Sequence, residues 1–323
     1  MLDSYGREID YVRISLTDHC NLRCVYCMPD EHCSYMKKEM LLTDEQIIRI
    51  CTVLANNGVK KIKLTGGEPL IRKSTPYLVK QIKQIPGIEQ VTLTTNGVLL
   101  EDTIDELVAA GLNGVNVSLD HLDRMEYAKI TRRDELPRVL RGIKKACQYE
   151  SLNVKINCVP IADNKQQIIA LAKLAKMDKV HVRFIEMMPI GQGKQMNFHS
   201  EEAICKYLKE EFGELTPYKE TLGNGPSHYY EIPEFQGKIG FISAISHKFC
   251  DQCNRVRITA DGFLKTCLQY DMGISLRPYL NESCDERLRE IILETLWKKP
   301  KEHKFHEQKE GKEEHRAMSQ IGG

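Results

Sequence analysis

An alternation of strand-like and helix-like segments is the feature that most constrains this chain. Short runs rich in Val, Ile, Leu and Thr recur through the first two thirds of the sequence, with helical patterns between them. This alternation is typical of a parallel sheet wrapped by helices. Six strands are predicted, at 11–16, 60–65, 90–95, 114–119, 153–159 and 179–185. Six βα units are too few for a closed barrel of eight, so we predict an α/β fold with an incomplete (β/α)6 TIM-like barrel, whose catalytic groups follow the C-terminal ends of the strands.

The best-defined helix of this alternation begins at Thr43. Thr43 and Gln46 stand three residues apart, the capping-box pattern of a helix N-terminus. Gly58 is the type of residue that ends a helix. Apolar residues recur between them with helical spacing, at Ile47, Ile50, Cys51 and Leu54. The pattern therefore predicts a helix between residues 43 and 58.

The pattern changes after Gly191. A helix near 200–212 is followed by Gly- and Pro-containing loops and by short strands near 229–232, 238–242, 256–259 and 263–266, which predict a smaller α+β lobe. Residues 298–315 are crowded with Lys, Glu and His, so they predict a mobile tail. The predicted division is a partial barrel at 1–195, a C-terminal lobe at 196–297 and a polar tail at 298–323.

Charge and hydropathy argue against several classes of protein. The chain has 46 Lys and Arg against 45 Asp and Glu, a formal net charge of +1. No overall field then exists to hold nucleic acid or an anionic membrane, so an anionic ligand must be bound by local charges. The apolar stretches have only the length of strands, and the N-terminus lacks a signal pattern. We therefore expect a cytoplasmic protein.

Half of the 12 cysteines form two triplets. In a reducing compartment, clustered thiols bind metal more often than they form disulfides. The triplets are Cys20, Cys24 and Cys27, then Cys250, Cys253 and Cys267. The dispersed cysteines are interpreted as small core residues, and they are Cys33, Cys51, Cys147, Cys158, Cys205 and Cys284.

The first triplet directly follows the first predicted strand with C-x3-C-x2-C spacing. Three thiolates hold three irons of a cubane that normally takes four cysteines, which leaves one iron open to a small molecule. An open coordination position is what catalysis requires of a metal site. The alternative is a zinc knot completed by His19 or by a distant ligand, although zinc loops usually pair their cysteines as C-x2-C.

The spacing of this loop, with Tyr26 before its third cysteine, resembles the motif of the radical S-adenosylmethionine superfamily. The resemblance implies that S-adenosylmethionine chelates the open iron and is cleaved to a 5′-deoxyadenosyl radical that the protein aims and shields. The run from Thr65 to Pro69 resembles the superfamily's GGEP motif, where exposed carbonyls or Glu68 can accept from an ammonium group. The implied cofactor contacts are Tyr26, Gly67, Ser118 and Met188.

The second triplet has C-x2-C-x13-C spacing around a predicted hairpin. Zinc is a closer rival here, because zinc ribbons place C-x2-C before hairpins and His247 could complete the site. We favour a second, auxiliary iron–sulfur cluster. Arg255 and Arg257 follow this motif two residues apart on one face of a strand, a spacing that suits bidentate binding of a triphosphate.

Together, these features resemble the GTP 3′,8-cyclase family of molybdenum cofactor biosynthesis over nearly the whole chain. The resemblance assigns GTP contacts to Arg13, Thr94, Lys155, Arg255, Val256 and Arg257. Lys63 stands where the family usually has Arg, which keeps the charge but loses the planar fork. The terminal Gly322 and Gly323 match the Gly-Gly end that enters the active site in this family and is needed for activity.

The resemblance implies two 4Fe-4S clusters, S-adenosylmethionine and an external one-electron reductant. GTP would be cyclised to (8S)-3′,8-cyclo-7,8-dihydro-GTP, with the guanine at the auxiliary cluster, and passed to the next enzyme, a cyclic pyranopterin monophosphate synthase. The sequence leaves a homodimer open. Two alternatives also stay open: a peptide maturase with an auxiliary cluster, and a non-catalytic zinc-binding regulator.

Overall fold

One mixed sheet organises the protein. The computed structural model describes the chain except for residues 29–34, 162–163, 196–198, 221, 283, 306–313, 315 and 323. Six parallel strands lie side by side in chain order: β1 (Tyr11–Ser15), β2 (Lys61–Thr65), β3 (Gln90–Thr95), β4 (Gly114–Ser118), β5 (Asn153–Cys158) and β6 (His181–Ile185). All six lie within two residues of their predicted bounds, and the α/β class with a partial barrel is confirmed.

Helices separate these strands as the sequence predicts. They are α1 (Asp44–Asn56), α2 (Thr75–Lys83), α3 (Leu100–Ala109), α4 (Arg124–Thr131), α5 (Leu136–Ala146) and α6 (Lys165–Met177). In α1, Thr43 accepts from the amide of Gln46 and the Gln46 side chain accepts from the amide of Thr43. The predicted capping box is therefore confirmed, and Gly58 follows with a left-handed φ of 96°.

The strands of the predicted smaller lobe join both edges of the same sheet. They are β7 (Thr216–Tyr218), β8 (His228–Glu231), β9 (Ile239–Ile242), β10 (Arg255–Ile258), β11 (Phe263–Lys265) and β12 (Gly273–Ser275). β9 pairs in parallel with β6 and carries the antiparallel β8 and β7, while β10 pairs in parallel with β1 and carries the antiparallel β11 and β12. The sheet thus places the second cysteine triplet beside the first strand of the chain.

Four further α-helices follow in the described residues, and the last of them lines the cavity through its first two residues. They are α7 (Glu201–Phe212), α8 (Arg277–Leu280), α9 (Asp285–Trp297) and α10 (Met318–Ile321). Alternation along the strands divides their side chains between two layers, as in β3, where Val91, Leu93 and Thr95 are buried and the residues between them face the barrel interior. Among the described residues, no helix combines the length and apolar character needed to cross a bilayer.

One expectation about the dispersed cysteines needs correction. Cys51 and Cys158 are buried as predicted and Cys147 and Cys205 are partly buried, but Cys284 is exposed because it precedes α9, where its sulfur accepts from the amide of Glu286. Cys33 lies outside the described residues.

The described part of the polar tail is packed. Lys299, His303 and Glu314 are all buried. Lys299 and His303 bond to backbone carbonyls, and Glu314 forms an ion pair with the buried Lys265. The sequence predicts a mobile tail, whereas these three described residues are buried and each bonds to a partner inside the protein.

Candidate active site

The first cysteine loop follows the C-terminal end of β1 and opens onto a cavity of about 500 Å³. Cys20, Cys24 and Cys27 all line this cavity. The loop is anchored from outside, because the amides of Arg23 and Val25 donate to the carbonyls of Thr131 and Ile130 at the end of α4. The three thiols are thereby presented to the barrel interior from one loop.

The Gly-Gly turn after β2 packs directly on this cysteine loop. The amide of Gly67 donates to the carbonyl of Thr17 at 2.6 Å, and the amide of Glu68 donates to that of His19 at 2.7 Å. A Cβ on Gly67 would lie 2.3 Å from the His19 oxygen and 2.4 Å from the Asp18 oxygen. Only glycine permits this approach, and Gly67 lines the cavity as predicted for a cofactor contact.

Glu68, which the sequence offered as an acceptor for an ammonium group, has a different role in the structure. Its side chain is fully buried and accepts from the hydroxyl of Thr95 and the amides of Leu70 and Asn96. Burial raises the pKa of Glu68 to about 7, against these hydrogen bonds, which lower it. Its carboxyl therefore braces the turn and the β3 end rather than meeting an ammonium group of a ligand.

The donor set of the first loop fits an iron–sulfur cluster. Burial raises the pKa of the Cys20 thiol to about 11, and burial with the neighbouring Cys27 raises that of Cys24 well above its ordinary value. Such thiols ionise only when a strong cation offsets their charge, as bound iron does. The zinc alternative loses its predicted ligand, because His19 stacks on Tyr35 and its ring contacts Asp18 and the Met36 carbonyl.

The other predicted cofactor contacts surround the same space. Tyr26 donates from its hydroxyl to Asp120 at 2.7 Å, and the second carboxylate oxygen of Asp120 accepts from the Val159 amide. Burial raises the pKa of Asp120 to about 6. Ser118 at the end of β4 and Met188 after β6 both line the cavity, as does the neighbouring Met187.

The second cysteine triplet lies at the opposite end of the barrel. Cys253 precedes the N-terminal end of β10, which runs parallel to β1, and Cys267 follows β11, which runs back beside β10. The expectation that both motifs follow C-terminal strand ends is therefore wrong for this one, because β10 joins the sheet in the same direction as β1. β1 itself spans roughly 13 Å between its end residues, and the two triplets lie beyond its opposite ends.

This second donor set also fits a cluster. Cys250, Cys253 and Cys267 line the same cavity as the first triplet. Burial raises the pKa of Cys250, whereas Lys299 and Arg255 outweigh burial and lower the pKa of Cys253. His247, the candidate zinc ligand, lies with its ring nitrogens 3.6 and 3.8 Å from carboxylate oxygens of Glu201 and Glu202.

Between the triplets, the barrel interior is lined with cations. Strand pairing sets Arg257, Arg13 and Lys63 side by side across β10, β1 and β2. Lys155 on β5 and Arg183 on β6 face them from the far wall of the cavity. These five side chains and Arg255 form the cationic wall.

Burial and mutual repulsion make the cationic wall unfavourable without an anion. Burial, together with repulsion from Arg183, lowers the pKa of Lys155 to about 7. Burial also lowers the pKa of Lys63 well below its ordinary value, reinforced by Arg183 and Arg13. The guanidinium groups stay charged under these conditions, so a polyanion that enters the cavity relieves their repulsion.

Two other predicted substrate contacts, Thr94 and Val256, are not cations and offer different groups to a ligand. Thr94 lines the cavity, and its hydroxyl accepts from the Asn116 amide group at 3.4 Å. Val256 belongs to the apolar core on the opposite face of β10 from Arg255 and Arg257. Only the backbone of Val256 is therefore available to a ligand in the cavity.

The C-terminus enters the cavity. Arg257 donates to the carbonyl of Gly322, and Ile321 before it is buried. A Cβ on Gly322 would approach Ser15 and Thr65 at 3.1 and 3.2 Å, and its φ of 86° favours glycine. Gly323 lies outside the described residues.

Comparison with known proteins decides the family. Residues 14–175 match the Radical SAM superfamily model, and residues 180–305 match the model named Molybdenum Cofactor Synthesis C. A protein of Clostridium perfringens named GTP 3′,8-cyclase is 47% identical over the full length of both chains, and one of Syntrophomonas wolfei with the same name is 42% identical over the full length of both. The chain belongs to the GTP 3′,8-cyclase family.

Solved structures agree on the fold of this GTP 3′,8-cyclase family member. SuiB of Streptococcus suis, bound to S-adenosylmethionine, superposes with a TM-score of 0.63 at 16% identity, covering 89% of this chain and 67% of SuiB. At this identity the likeness concerns the fold alone.

Sequence reasoning missed three residues of the cyclase cavity. Arg183 lies between two apolar residues of β6, and the strand alternation that placed Arg257 inward could have found it. Asp120 follows Ser118 directly, but its bond to Tyr26 joins residues far apart in sequence. No local pattern in the sequence singled out Lys299 as a cavity residue, because it resembles the charged residues around it.

Proposed function

We propose that this chain converts GTP to (8S)-3′,8-cyclo-7,8-dihydro-GTP, the first step of molybdenum cofactor biosynthesis. The observation that carries the proposal is a single cavity that joins both cysteine triplets, with the cationic wall between them. Such an arrangement suits a substrate with a highly charged anionic group and two reacting centres. A nucleoside triphosphate meets both requirements.

Two 4Fe-4S clusters and S-adenosylmethionine complete this site. When bound, they would supply a 5′-deoxyadenosyl radical at Cys20, Cys24 and Cys27 and a guanine-binding iron at Cys250, Cys253 and Cys267. Tyr26, Gly67, Ser118 and Met188 are the proposed contacts of S-adenosylmethionine.

The chain's own residues hold and orient the substrate. Arg13, Lys63 and Arg257 present adjacent donors to the triphosphate, and Lys155 adds an ammonium from the opposite wall. Arg255, Thr94 and the backbone of Val256 complete the proposed GTP contacts. The enclosure limits a ribose radical at C3′ to the guanine C8 held against it, so the new bond forms between these two carbons.

Gly322 and Gly323 are proposed to finish this enclosure. The Gly322 carbonyl accepts a hydrogen bond from Arg257, at the end of the cavity nearer the first cysteine loop. The tail thus holds one substrate-binding cation in place while it narrows the space for the nucleotide.

Several finer points belong to the same proposal. The electron comes from an external one-electron reductant, and the product passes to a cyclic pyranopterin monophosphate synthase. The expected compartment is the cytoplasm, without nucleic acid or membrane as partner, and a homodimer stays open. The proposed division at 1–195, 196–297 and 298–323 is a functional one, in which each of the first two parts holds one cluster.

The test is an anaerobic assay of reconstituted protein with dithionite, S-adenosylmethionine and each of the four ribonucleoside triphosphates. GTP alone should yield 5′-deoxyadenosine together with a nucleotide of unchanged mass and altered retention. Deoxyadenosine without any nucleotide product would indicate a peptide substrate, and zinc without deoxyadenosine would overturn the proposal.

A variant separates binding from radical formation in this assay. Arg257→Ala should abolish GTP cyclisation while uncoupled cleavage of S-adenosylmethionine continues, because Arg257 lies in the cationic wall rather than at the first cysteine loop. Unaltered cyclisation in this variant would contradict the triphosphate assignment.

A further inference from the structure

Lys299 is a buried ammonium group against the second cysteine triplet. It lies just beyond α9, lines the cavity and is only 3% exposed. Its Nζ donates to the carbonyl of Arg255 at 3.0 Å and to the carbonyl of Thr266 at 2.5 Å. The same Arg255 carbonyl accepts from the sulfur of Cys253 at 4.0 Å, which places that sulfur beside the ammonium group. One side chain therefore connects the start of β10 with the segment that carries Cys267.

The charge of Lys299 lacks a carboxylate to offset it. Within the part of the chain that the structure describes, no Asp or Glu lies within ion-pair distance of its Nζ, although Arg7 nearby is paired with Asp3. A buried charge without a partner is costly, and two carbonyl dipoles offset only part of that cost. With a cluster bound, the sulfur of Cys253 would carry negative charge beside Lys299, since both groups meet at the Arg255 carbonyl.

We propose that Lys299 is a positioning residue for the auxiliary cluster, in which its ammonium group offsets the negative charge at Cys253 and fixes the cluster against the strand of Arg255. The inference rests on the second cluster of the proposed function but not on the identity of the nucleotide. It assigns a role to the first residues of the tail, since the amide of His303 also donates to the sulfur of Cys250 at 3.5 Å.

Two consequences follow from the charge of Lys299. Partners that orient a metal ligand commonly contribute about 10- to 100-fold to metal affinity. A nearby positive charge also favours the reduced, more negative form of a cluster, so its loss makes reduction harder. A purely structural role would change the metal affinity without a consistent shift in the reduction potential.

The experiment compares reconstituted wild-type protein with Lys299→Met, Lys299→Gln and Lys299→Arg. Lys298→Met is the matched control, because Lys298 is adjacent in sequence and exposed. Three properties are measured: iron per chain, the rate of iron loss to a chelator, and the midpoint potential of the auxiliary cluster. The wild type should hold about eight irons, the content of two four-iron clusters.

In Lys299→Met and Lys299→Gln we expect iron loss from one cluster to be at least about tenfold faster. The potential of that cluster should move to more negative values in both variants, whereas Lys299→Arg and Lys298→Met stay near wild type. Where Met prevents folding, the Gln variant retains a donor for the two carbonyls and carries the test.

Two results would overturn the inference. If both neutral variants keep wild-type iron retention and potential, Lys299 has no role toward the cluster. If they lose iron but keep the potential, its role is structural only. A wild-type content near four irons per chain would instead show that the auxiliary cluster is absent. The proposed function of the second triplet would then fail as well.

Discussion

At residue scale, Gly67 shows how closely the two motifs around the first site are fitted together. Gly67→Ala would place a methyl carbon within 2.4 Å of two backbone oxygens, so the cysteine loop or the turn must shift. A displacement of about 1 Å at a reacting site costs about 100-fold in rate. We expect cleavage of S-adenosylmethionine to fall by this order, measured as 5′-deoxyadenosine formed. A wild-type rate in Gly67→Ala would contradict the argument.

Lys155 makes triphosphate binding depend on pH. Its pKa of about 7 in the folded protein lies below the ordinary 10.5, so between these values the unfolded chain binds more protons. This group therefore adds to the stability of the unliganded protein as pH rises from about 7 towards 10. Binding of an anion favours the charged form, so GTP affinity should fall above pH 7, by up to about tenfold per pH unit.

Calorimetric titration of GTP between pH 6.5 and 8.5 tests this dependence. Lys155→Arg should bind with a flatter pH profile, because a guanidinium stays charged throughout the range. The same slope in both proteins would show that Lys155 does not titrate with binding.

At the scale of elements, a buried ion pair anchors the C-terminal segment. Lys265 on β11 is fully buried, donates to the Tyr270 carbonyl and pairs with Glu314. Glu314→Leu leaves that ammonium without a carboxylate, and breaking a buried pair costs about 3–5 kcal/mol. We expect the cost to release the segment that carries Gly322, detected as faster removal of C-terminal residues by carboxypeptidase.

A double variant distinguishes loss of the ion pair from loss of packing. Lys265→Met with Glu314→Leu leaves neither charge buried, and apolar pairs of similar volume often replace such a pair without loss. Arg316 loses its bond to Glu314 in both variants and retains its contact with Asp271, so this loss cancels in the comparison. If the double variant is digested as fast as Glu314→Leu, the anchor is not electrostatic.

At the scale of the whole molecule, the cationic wall links stability to bound anions. Its repulsion acts across β10, β1, β2, β5 and β6, so a polyanion should stabilise the fold as a unit. A ligand at 100 times its Kd adds about 2.7 kcal/mol to the free energy of unfolding. GTP and tripolyphosphate should therefore both raise Tm in scanning calorimetry, and guanosine much less. Equal Tm shifts for GTP and guanosine would show that contacts with the base, rather than with the cationic wall, supply the affinity.

Local patterns in the sequence were enough for much of this protein. Capping at Thr43, the alternation in each strand and the spacing within each cysteine triplet depend on residues that are neighbours along the chain. Arg255 and Arg257 were likewise placed on one face by the period of a strand. The resemblance to a family then assigned roles that no local rule supplies.

Only the tertiary structure decided how these pieces meet. Parallel pairing of β10 with β1 put the second triplet at the opposite end of the barrel from the first and set Arg257 beside Arg13. It also buried Lys299 and Glu314 and set the Gly322 carbonyl against Arg257, although the tail that holds them resembles a disordered segment by composition. Composition reports the average cost of burying a segment, whereas burial of each charge depends on the one partner that long-range packing brings to it.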